Sequence, residues 1–278
     1  MLVTVAMLGL FSQSAFSQVD GVDPLPEEKE DIIAGIDMRH WNFDVRAGYS
    51  IGGTMPMDMP AEMRHINSFS PKFNYRFGLD IEYRFNPSWG LQSGAYIERK
   101  GFQGDMSVRG YQITMRQGSE EISGPFTGNV VTNIVQTGVT IPLQAAWWIN
   151  RKLKLRFGPY ISIVTDKSFN GYAYGNEGAD GNPTAYLRRD DAKGDLVYIG
   201  NDEGSRGTFG DDTFKEYMRT MQYGVDMGCD WFFSRHWGVF GDLSYGFNSA
   251  FNGKEGNPVN MDLYPLYFTV GVVYKIGR

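Results

Sequence analysis

Residues 73–85 read Phe-Asn-Tyr-Arg-Phe-Gly-Leu-Asp-Ile-Glu-Tyr-Arg-Phe, and this stretch decides the fold. Apolar or aromatic side chains occupy every odd position, whereas polar side chains and one glycine occupy the even positions. Because successive side chains of a β-strand point to opposite faces, this period of two predicts a strand with one apolar and one ionic face.

The same alternation recurs on both sides of this stretch. It predicts eight strands, at about 41–49, 73–85, 89–100, 131–149, 153–163, 221–231, 239–247 and 266–276. Short connections at 86–88, 150–152 and 234–236 alternate with long ones at 51–72, 101–130, 165–220 and 248–265. Short turns on one side and long loops on the other are typical of outer-membrane barrels. We therefore predict an all-β fold: an eight-stranded antiparallel up-and-down transmembrane β-barrel with short periplasmic turns and long extracellular loops.

The tryptophans favour lipid, rather than water, on the apolar face. All six lie beside the predicted short turns, and a tryptophan ring prefers the membrane–water boundary. They form a predicted aromatic belt of Trp41, Trp89, Trp147, Trp148, Trp231 and Trp237.

The polar face combines glycines with balanced charges, as a packed barrel interior requires. Its seven acids are Asp44, Asp80, Glu82, Glu98, Asp226, Asp230 and Asp242. Its seven bases are Arg46, Arg76, Arg84, Lys100, Lys154, Arg156 and Lys275. We expect these fourteen residues to form a charge network inside the barrel. Eight strands leave an interior only wide enough for side chains, so a diffusive pore is not expected.

The segment before the barrel has a different composition. An apolar run followed by Ala15-Phe16-Ser17 predicts a secretory signal peptide over 1–17, although no Lys or Arg precedes the run. Residues 18–39 are predicted to be a flexible acidic periplasmic leader, and 40–278 the barrel. The net charge of −6 argues against a nucleic-acid partner.

Several motifs resemble those of one family of small barrels. They are 78–85, 90–97, Thr140-Ile-Pro-Leu143, Leu155-Arg-Phe-Gly-Pro-Tyr160 and the closing 267–276. Over about 40–278 the chain resembles the PorT-like outer-membrane barrels of Bacteroidetes and, more loosely, the eight-stranded OmpA-like barrels. The resemblance implies an integral outer-membrane protein; one branch of the family is tied to protein secretion. The final residue, Arg278, departs from the terminal aromatic of many barrels.

Candidate chemistry is sparse. His65 lies near Glu62 and Ser68 in the first long loop. These residues could form a hydrolase triad, but a solvated loop histidine is the favoured interpretation. The glycine- and oxygen-rich loop segments 175–182, 201–204 and 210–212 match no EF-hand spacing. We predict no catalytic, metal or cofactor-binding residues and no cofactor.

The leading hypothesis is a non-enzymatic structural or binding protein that acts through its extracellular loops. One version makes it part of a secretion or envelope assembly. Expected partners are outer-membrane lipid and lipopolysaccharide, with another envelope protein as a further candidate. A lipid-modifying outer-membrane hydrolase and a narrow channel are the alternatives.

Overall fold

The computed structural model describes residues 32–33, 36–37, 40–56, 61–178, 181–190, 194–210, 217–252 and 262–276. The strands of these ranges are β1 (Ile32–Ile33), β2 (Ile36–Asp37), β3 (Trp41–Pro56), β4 (Met63–Pro71), β5 (Tyr75–Arg84), β6 (Trp89–Gln117), β7 (Glu120–Trp148), β8 (Leu153–Tyr174), β9 (Ala185–Arg188), β10 (Leu196–Ile199), β11 (Gly207–Phe209), β12 (Met221–Phe232), β13 (Trp237–Gly246) and β14 (Leu263–Ile276). Across the described ranges, no helix has the length and apolar character to cross a membrane.

Eight of these strands pair into a closed antiparallel ring. Its order is β3, β5, β6, β7, β8, β12, β13 and β14, and β14 returns to β3 from Leu263↔Pro56 to Ile276↔Phe43. Because the first and last strands pair, the ring leaves no open edge with unpaired backbone groups. The predicted antiparallel, up-and-down β-barrel is confirmed, whereas the described sheet has more than the eight strands predicted.

Three tight turns close one end of the ring, where the sequence predicted them. In two of them an asparagine side chain holds the turn, since Asn86 Oδ1 accepts hydrogen bonds from the backbone N–H groups of Ser88 and Trp89, both at 2.9 Å. Asn150 Oδ1 does the same for Lys152 and Leu153 at 2.8 and 2.9 Å. Asparagine favours such turns because its side chain mimics a backbone acceptor.

At the other end of the ring, the structure has strands where the sequence predicted loops. The ladder between β6 and β7 continues through 101–130 up to the pair Gln117↔Glu120, and Gly118 has the positive φ of 62° that this tight turn requires. β3 and β8 also extend beyond their predicted ends, to Pro56 and Tyr174. These strands exceed the 9–11 residues that cross a bilayer because their backbone pairing does not end where the membrane does.

Four additional strands attach to these extensions, so the sheet has twelve described strands rather than eight. β4 pairs with β6, β9 pairs with β7 and β10, and β11 lies between β6 and β8. We call the extended part of the β6–β7 hairpin (102–134), together with β4, β9, β10 and β11, the platform. It replaces parts of the predicted loops 51–72, 101–130 and 165–220 with sheet.

The segment before the barrel is described only at β1 and β2, which pair as a two-residue hairpin. The predicted signal peptide (1–17) and most of the predicted leader (18–39) lie outside the described residues, as does part of the loop 248–265.

Candidate functional site: the barrel interior and the platform

The interior of the ring holds the charges that the sequence placed on one face. Thirteen of the fourteen predicted network residues are buried, and Lys275 is half-buried. The opposite face carries exposed apolar side chains, such as Phe77 (52% exposed), Leu79 (55%) and Val270 (42%). An ionic interior and an apolar exterior are the reverse of a water-soluble barrel and match a barrel surrounded by lipid.

Asp230, on β12, lies at the centre of the network. Its carboxylate accepts a two-pronged hydrogen bond from Arg46, with distances of 2.8 and 2.6 Å. Arg156 Nη2 donates to it at 2.8 Å, and Lys154 Nζ lies 3.2 Å away. Bidentate guanidinium–carboxylate pairs are among the strong hydrogen bonds in proteins. One carboxylate therefore joins β3, β8 and β12 across the interior.

Arg76 organises the part of the network nearer the platform. Its guanidinium lies 3.0 Å from Glu98 and Asp226 and 3.4 Å from Asp242. Its face stacks on the ring of Tyr96, with 4.0 Å between the guanidinium carbon and the ring centroid. Three acids and an aromatic face offset the cost of burying one cation.

Lys154 and Trp148 complete the network at the end near the tight turns. Lys154 Nζ lies 3.3 Å from Asp44 and 3.2 Å from Glu82. The indole N–H of Trp148 donates to Glu82 at 2.6 Å, and Lys275 Nζ stands 5.2 Å above the Trp148 ring. Lys275 thus reaches the predicted network through an aromatic ring, since no salt bridge of the described residues includes it.

Trp148 does not belong to the aromatic belt that the sequence predicted. It is 4% exposed and points into the barrel, whereas Trp147 is 36% exposed. Adjacent residues of one strand face opposite sides, so the pair cannot both meet lipid. The remaining five predicted belt residues lie on the outer face near the tight turns, where Trp89 stacks on Trp147 at 5.7 Å and Trp41 and Trp237 contact tyrosines. Trp231 is 51% exposed.

Two glycines show why the interior alternates glycine with charge. A Cβ atom on Gly94 would collide with the carboxylate of Asp80, and one on Gly228 would collide with Asp242 and Arg156. Glycine at these positions leaves room for the ionic side chains of the neighbouring strand.

Apolar clusters cover the network at both ends. Near the tight turns, Trp148, Phe232, Phe240 and Val273 pack together. Toward the platform, a second cluster is formed by Phe102, Ile134, Phe169, Met218, Ala250, Phe251 and Leu263. The layer of buried charges lies between these two clusters.

The platform has an apolar core of its own. Val108, Met115, Ile122, Phe126 and Leu187 are among its buried members. Its outer surface carries exposed apolar and aromatic side chains, such as Ile66 and Tyr198, beside hydrogen-bonded polar groups. Asn67 donates to Asp105 at 3.0 Å, and the Tyr174 hydroxyl of β8 donates to Asp105 at 2.9 Å. Burial and this hydrogen bond raise the pKa of Tyr174 to about 12. The platform is therefore a small folded unit rather than a set of loose loops.

The histidine candidate is not assembled into a triad. His65 and Ser68 are exposed residues of β4, Glu62 is an exposed residue just before it, and no hydrogen bond within the described chain joins any two of them. The described residues contain no group of three or more His, Cys, Asp or Glu side chains suited to a metal ion. Parts of the glycine-rich loop, including 179–180 and 211–212, lie outside the description.

The predicted network contains charged residues only, whereas uncharged side chains also belong to it. Tyr96 donates from its hydroxyl to Asp80, Gln92 accepts from Lys154 at 2.9 Å, and Gln144 accepts from Arg156 at 3.0 Å. All three lie on the polar face of their strands by the same period of two. The alternation of the sequence therefore predicts their direction, but it does not predict which charged group each of them contacts.

A closed ring with apolar exterior, ionic interior and aromatic belts defines an integral outer-membrane β-barrel protein. Residues 11–252 match the family described as "outer membrane protein beta-barrel domain", and the chain belongs to this family. The protein is thus an integral protein of the outer membrane. No curated protein matches the chain.

Solved structures of outer-membrane proteins are remotely similar. Ail, the attachment invasion locus protein of Yersinia pestis, solved with the heparin analogue sucrose octasulfate, is 11% identical with a TM-score of 0.35, covering 85% of this chain and 97% of that one. OprG of Pseudomonas aeruginosa is 15% identical with a TM-score of 0.34, covering 85% and 96%. The outer membrane protease OmpT of Escherichia coli is 13% identical with a TM-score of 0.36, covering 85% and 94%. At these scores the likenesses carry no argument about function.

Proposed function

We propose that the protein is a sealed membrane anchor that presents the platform as a binding surface outside the cell. It acts as a structural or binding protein, and neither conducts solutes nor catalyses a reaction. The observation that carries this proposal is the combination of a barrel interior of buried, paired charges with a platform that has its own apolar core. A sealed interior leaves the exterior surfaces as the places where another molecule can be recognised.

The proposed partners follow from the two exterior surfaces. Outer-membrane lipid and lipopolysaccharide contact the barrel wall, and another envelope protein contacts the platform. The resemblance to the PorT-like group of Bacteroidetes supports a place in a secretion or envelope assembly. Large exposed side chains on the platform, such as Tyr198 (54% exposed) and Ile66 (43%), offer contact area for such a partner.

Site-specific photo-crosslinking in intact outer membranes tests the binding role. A photoreactive phenylalanine analogue at Tyr198 is expected to give a discrete adduct with another envelope protein. The same analogue at Phe77, on the lipid-facing wall, serves as the control and is expected to give lipid adducts only. If Tyr198 and Ile66 both gave no adduct beyond the Phe77 control, the proposed platform function would be wrong.

The hydrolase and channel alternatives have no observation in their favour. Within the described ranges, no hydrogen bond joins the His65 side chain to a serine or a carboxylate, as a nucleophile–histidine mechanism needs. We expect lipid A from a strain producing His65→Ala to be identical to that of the wild type by mass spectrometry. A change in acylation or phosphorylation would establish the enzyme instead.

A further inference from the structure

Exposed aromatic side chains mark the outer boundary of the membrane on the barrel wall. Tyr49 (36% exposed), Phe73 (69%), Tyr223 (51%) and Phe247 (50%) lie on the outer face at the end opposite the tight turns. Tyr49 and Phe73 contact each other, with 5.9 Å between their ring centroids. Aromatic girdles of this kind sit at the level of the lipid head groups.

Two cations lie at this boundary on the face formed by β5 and β6. Arg99 pairs with Tyr75 of β5 and Thr137 of β7, and it is on the outer face because its neighbours Glu98 and Lys100 are buried in the interior. Its guanidinium donates to the carbonyl of Phe73. Lys72 directly precedes Phe73, and its Nζ donates to Gln103 Oε1 at 2.8 Å. Both cations are half-buried.

Neither cation has a carboxylate partner among the described residues. Their hydrogen bonds end on a carbonyl and an amide oxygen, both neutral. The acid nearest Arg99 in register, Asp166 of β8, lies across β7, two strand spacings or about 10 Å away. This contrasts with the interior, where Arg46, Arg76 and Arg156 each contact two or more acids.

A half-buried cation beside lipid is costly unless an anion compensates its charge. At the depth of the girdle, the available anions are the phosphate groups of lipid head groups, and a guanidinium and an ammonium both suit phosphate. Below the two cations, Phe77, Leu79 and Ile97 are exposed and offer apolar wall for acyl chains.

We propose that Lys72 and Arg99 form a specific site for the phosphate of a phosphorylated glycolipid of the outer leaflet. The phosphate bridges the two cations, the amide of Gln103 lies beside it, and the acyl chains follow the wall of β5 and β6. This inference deepens the proposed lipopolysaccharide contact and is independent of what the platform binds.

Native mass spectrometry of the detergent-solubilised full chain, titrated with bisphosphorylated lipid A, tests the site. The double variant Lys72→Gln/Arg99→Gln is expected to lower the affinity by roughly tenfold or more, since each cation near a charged lipid surface contributes about 1 kcal/mol. The matched control Lys152→Gln/Arg235→Gln removes the same charge from exposed positions of the tight turns at the other end of the barrel and is expected to leave the affinity unchanged. Lys72→Arg/Arg99→Lys keeps both charges and is expected to retain binding.

Three outcomes decide the proposal. Equal binding by the double variant and the wild type would overturn it. Equal binding of dephosphorylated lipid A would remove phosphate as the recognised group, and equal binding of phosphatidylglycerol would remove the glycolipid as the ligand. Crosslinking at Tyr198 remains in the double variant if the platform function holds, so the two proposals fail separately. Heat-shifted migration on gels verifies that each variant is folded.

Discussion

Asp230 shows at the residue scale what stabilises the barrel. Arg46, Lys154 and Arg156 all converge on this one carboxylate, which is fully buried. Removing one partner of a buried ion pair leaves an uncompensated charge in a medium that solvates it poorly. A substitution at the centre of the network is therefore expected to lower the free energy of unfolding more than one at its margin.

Asp230→Asn is expected to destabilise the barrel by about 3–5 kcal/mol, because three cations lose part of their compensation. Urea unfolding of the protein in lipid vesicles, followed by tryptophan fluorescence, measures this change. Glu203→Gln removes an acid from an exposed loop position and is expected to have no measurable effect. Equal stability of both variants would show that the interior charges are not coupled.

The paired tryptophans at 147 and 148 give a second residue-scale prediction. Brominated lipids quench tryptophans that contact acyl chains, so Trp147→Phe is expected to reduce the quenched fraction of the fluorescence. Trp148→Phe is expected to leave that fraction higher, because Trp148 lies inside. If the two effects were reversed, Trp148 rather than Trp147 would contact lipid, and the assignment of the strand's faces would be wrong.

The strand face on which each residue lies was largely predictable from the sequence, whereas its ion-pair partners were not. The period of two placed thirteen of the fourteen network charges in the buried interior, because a strand's faces alternate without exception along a regular ladder. The prediction for Trp148 was wrong because the alternation along the strand, and not the nearby turn, sets the direction of its side chain. Which acid meets which base depends on contacts across the ring, and a single strand pattern carries no such information.

At the element scale, the β6–β7 hairpin has the longest strands of the described sheet. Its strands have 29 residues each, about three times the length needed to cross a bilayer. The alternation continues beyond residue 101, with Phe102 and Val108 buried and Gln103 and Arg109 on the other face. This signal was present in the sequence, but a strand was expected to end with the membrane. The register shift between Arg109 and Tyr111 also interrupts the alternation of side chains between the two faces of the strand.

Replacing residues 104–132 by Asn-Gly is expected to leave a folded barrel, because the remaining pair Gln103↔Asn133 can be joined by a two-residue turn. Heat-shifted migration and protection from protease in outer membranes measure insertion. Gly94→Leu keeps the whole platform but places a side chain against Asp80, and it is expected to reduce insertion. A truncated chain that did not insert would show that the platform is required for the barrel to fold.

At the scale of the whole molecule, the layered interior favours our proposal that the barrel is sealed rather than a conduit for ions. Two apolar clusters enclose a layer of seven buried acids and six buried bases, with half-buried Lys275 as the seventh base. An ion crossing this layer would have to separate paired charges, each at a cost of several kcal/mol.

The closed ring and the tight turns were predictable from strand number and connection lengths. The platform's tertiary core was not, because its contacts join segments that are far apart in the chain.

Single-channel recording in planar bilayers tests the sealed interior most directly. Purified, folded protein is expected to produce no unitary conductance steps at any holding potential, while a known porin reconstituted in the same bilayers produces them. Reproducible steps from the wild-type protein that disappear when it is unfolded would show that ions cross the barrel and would contradict the sealed interior.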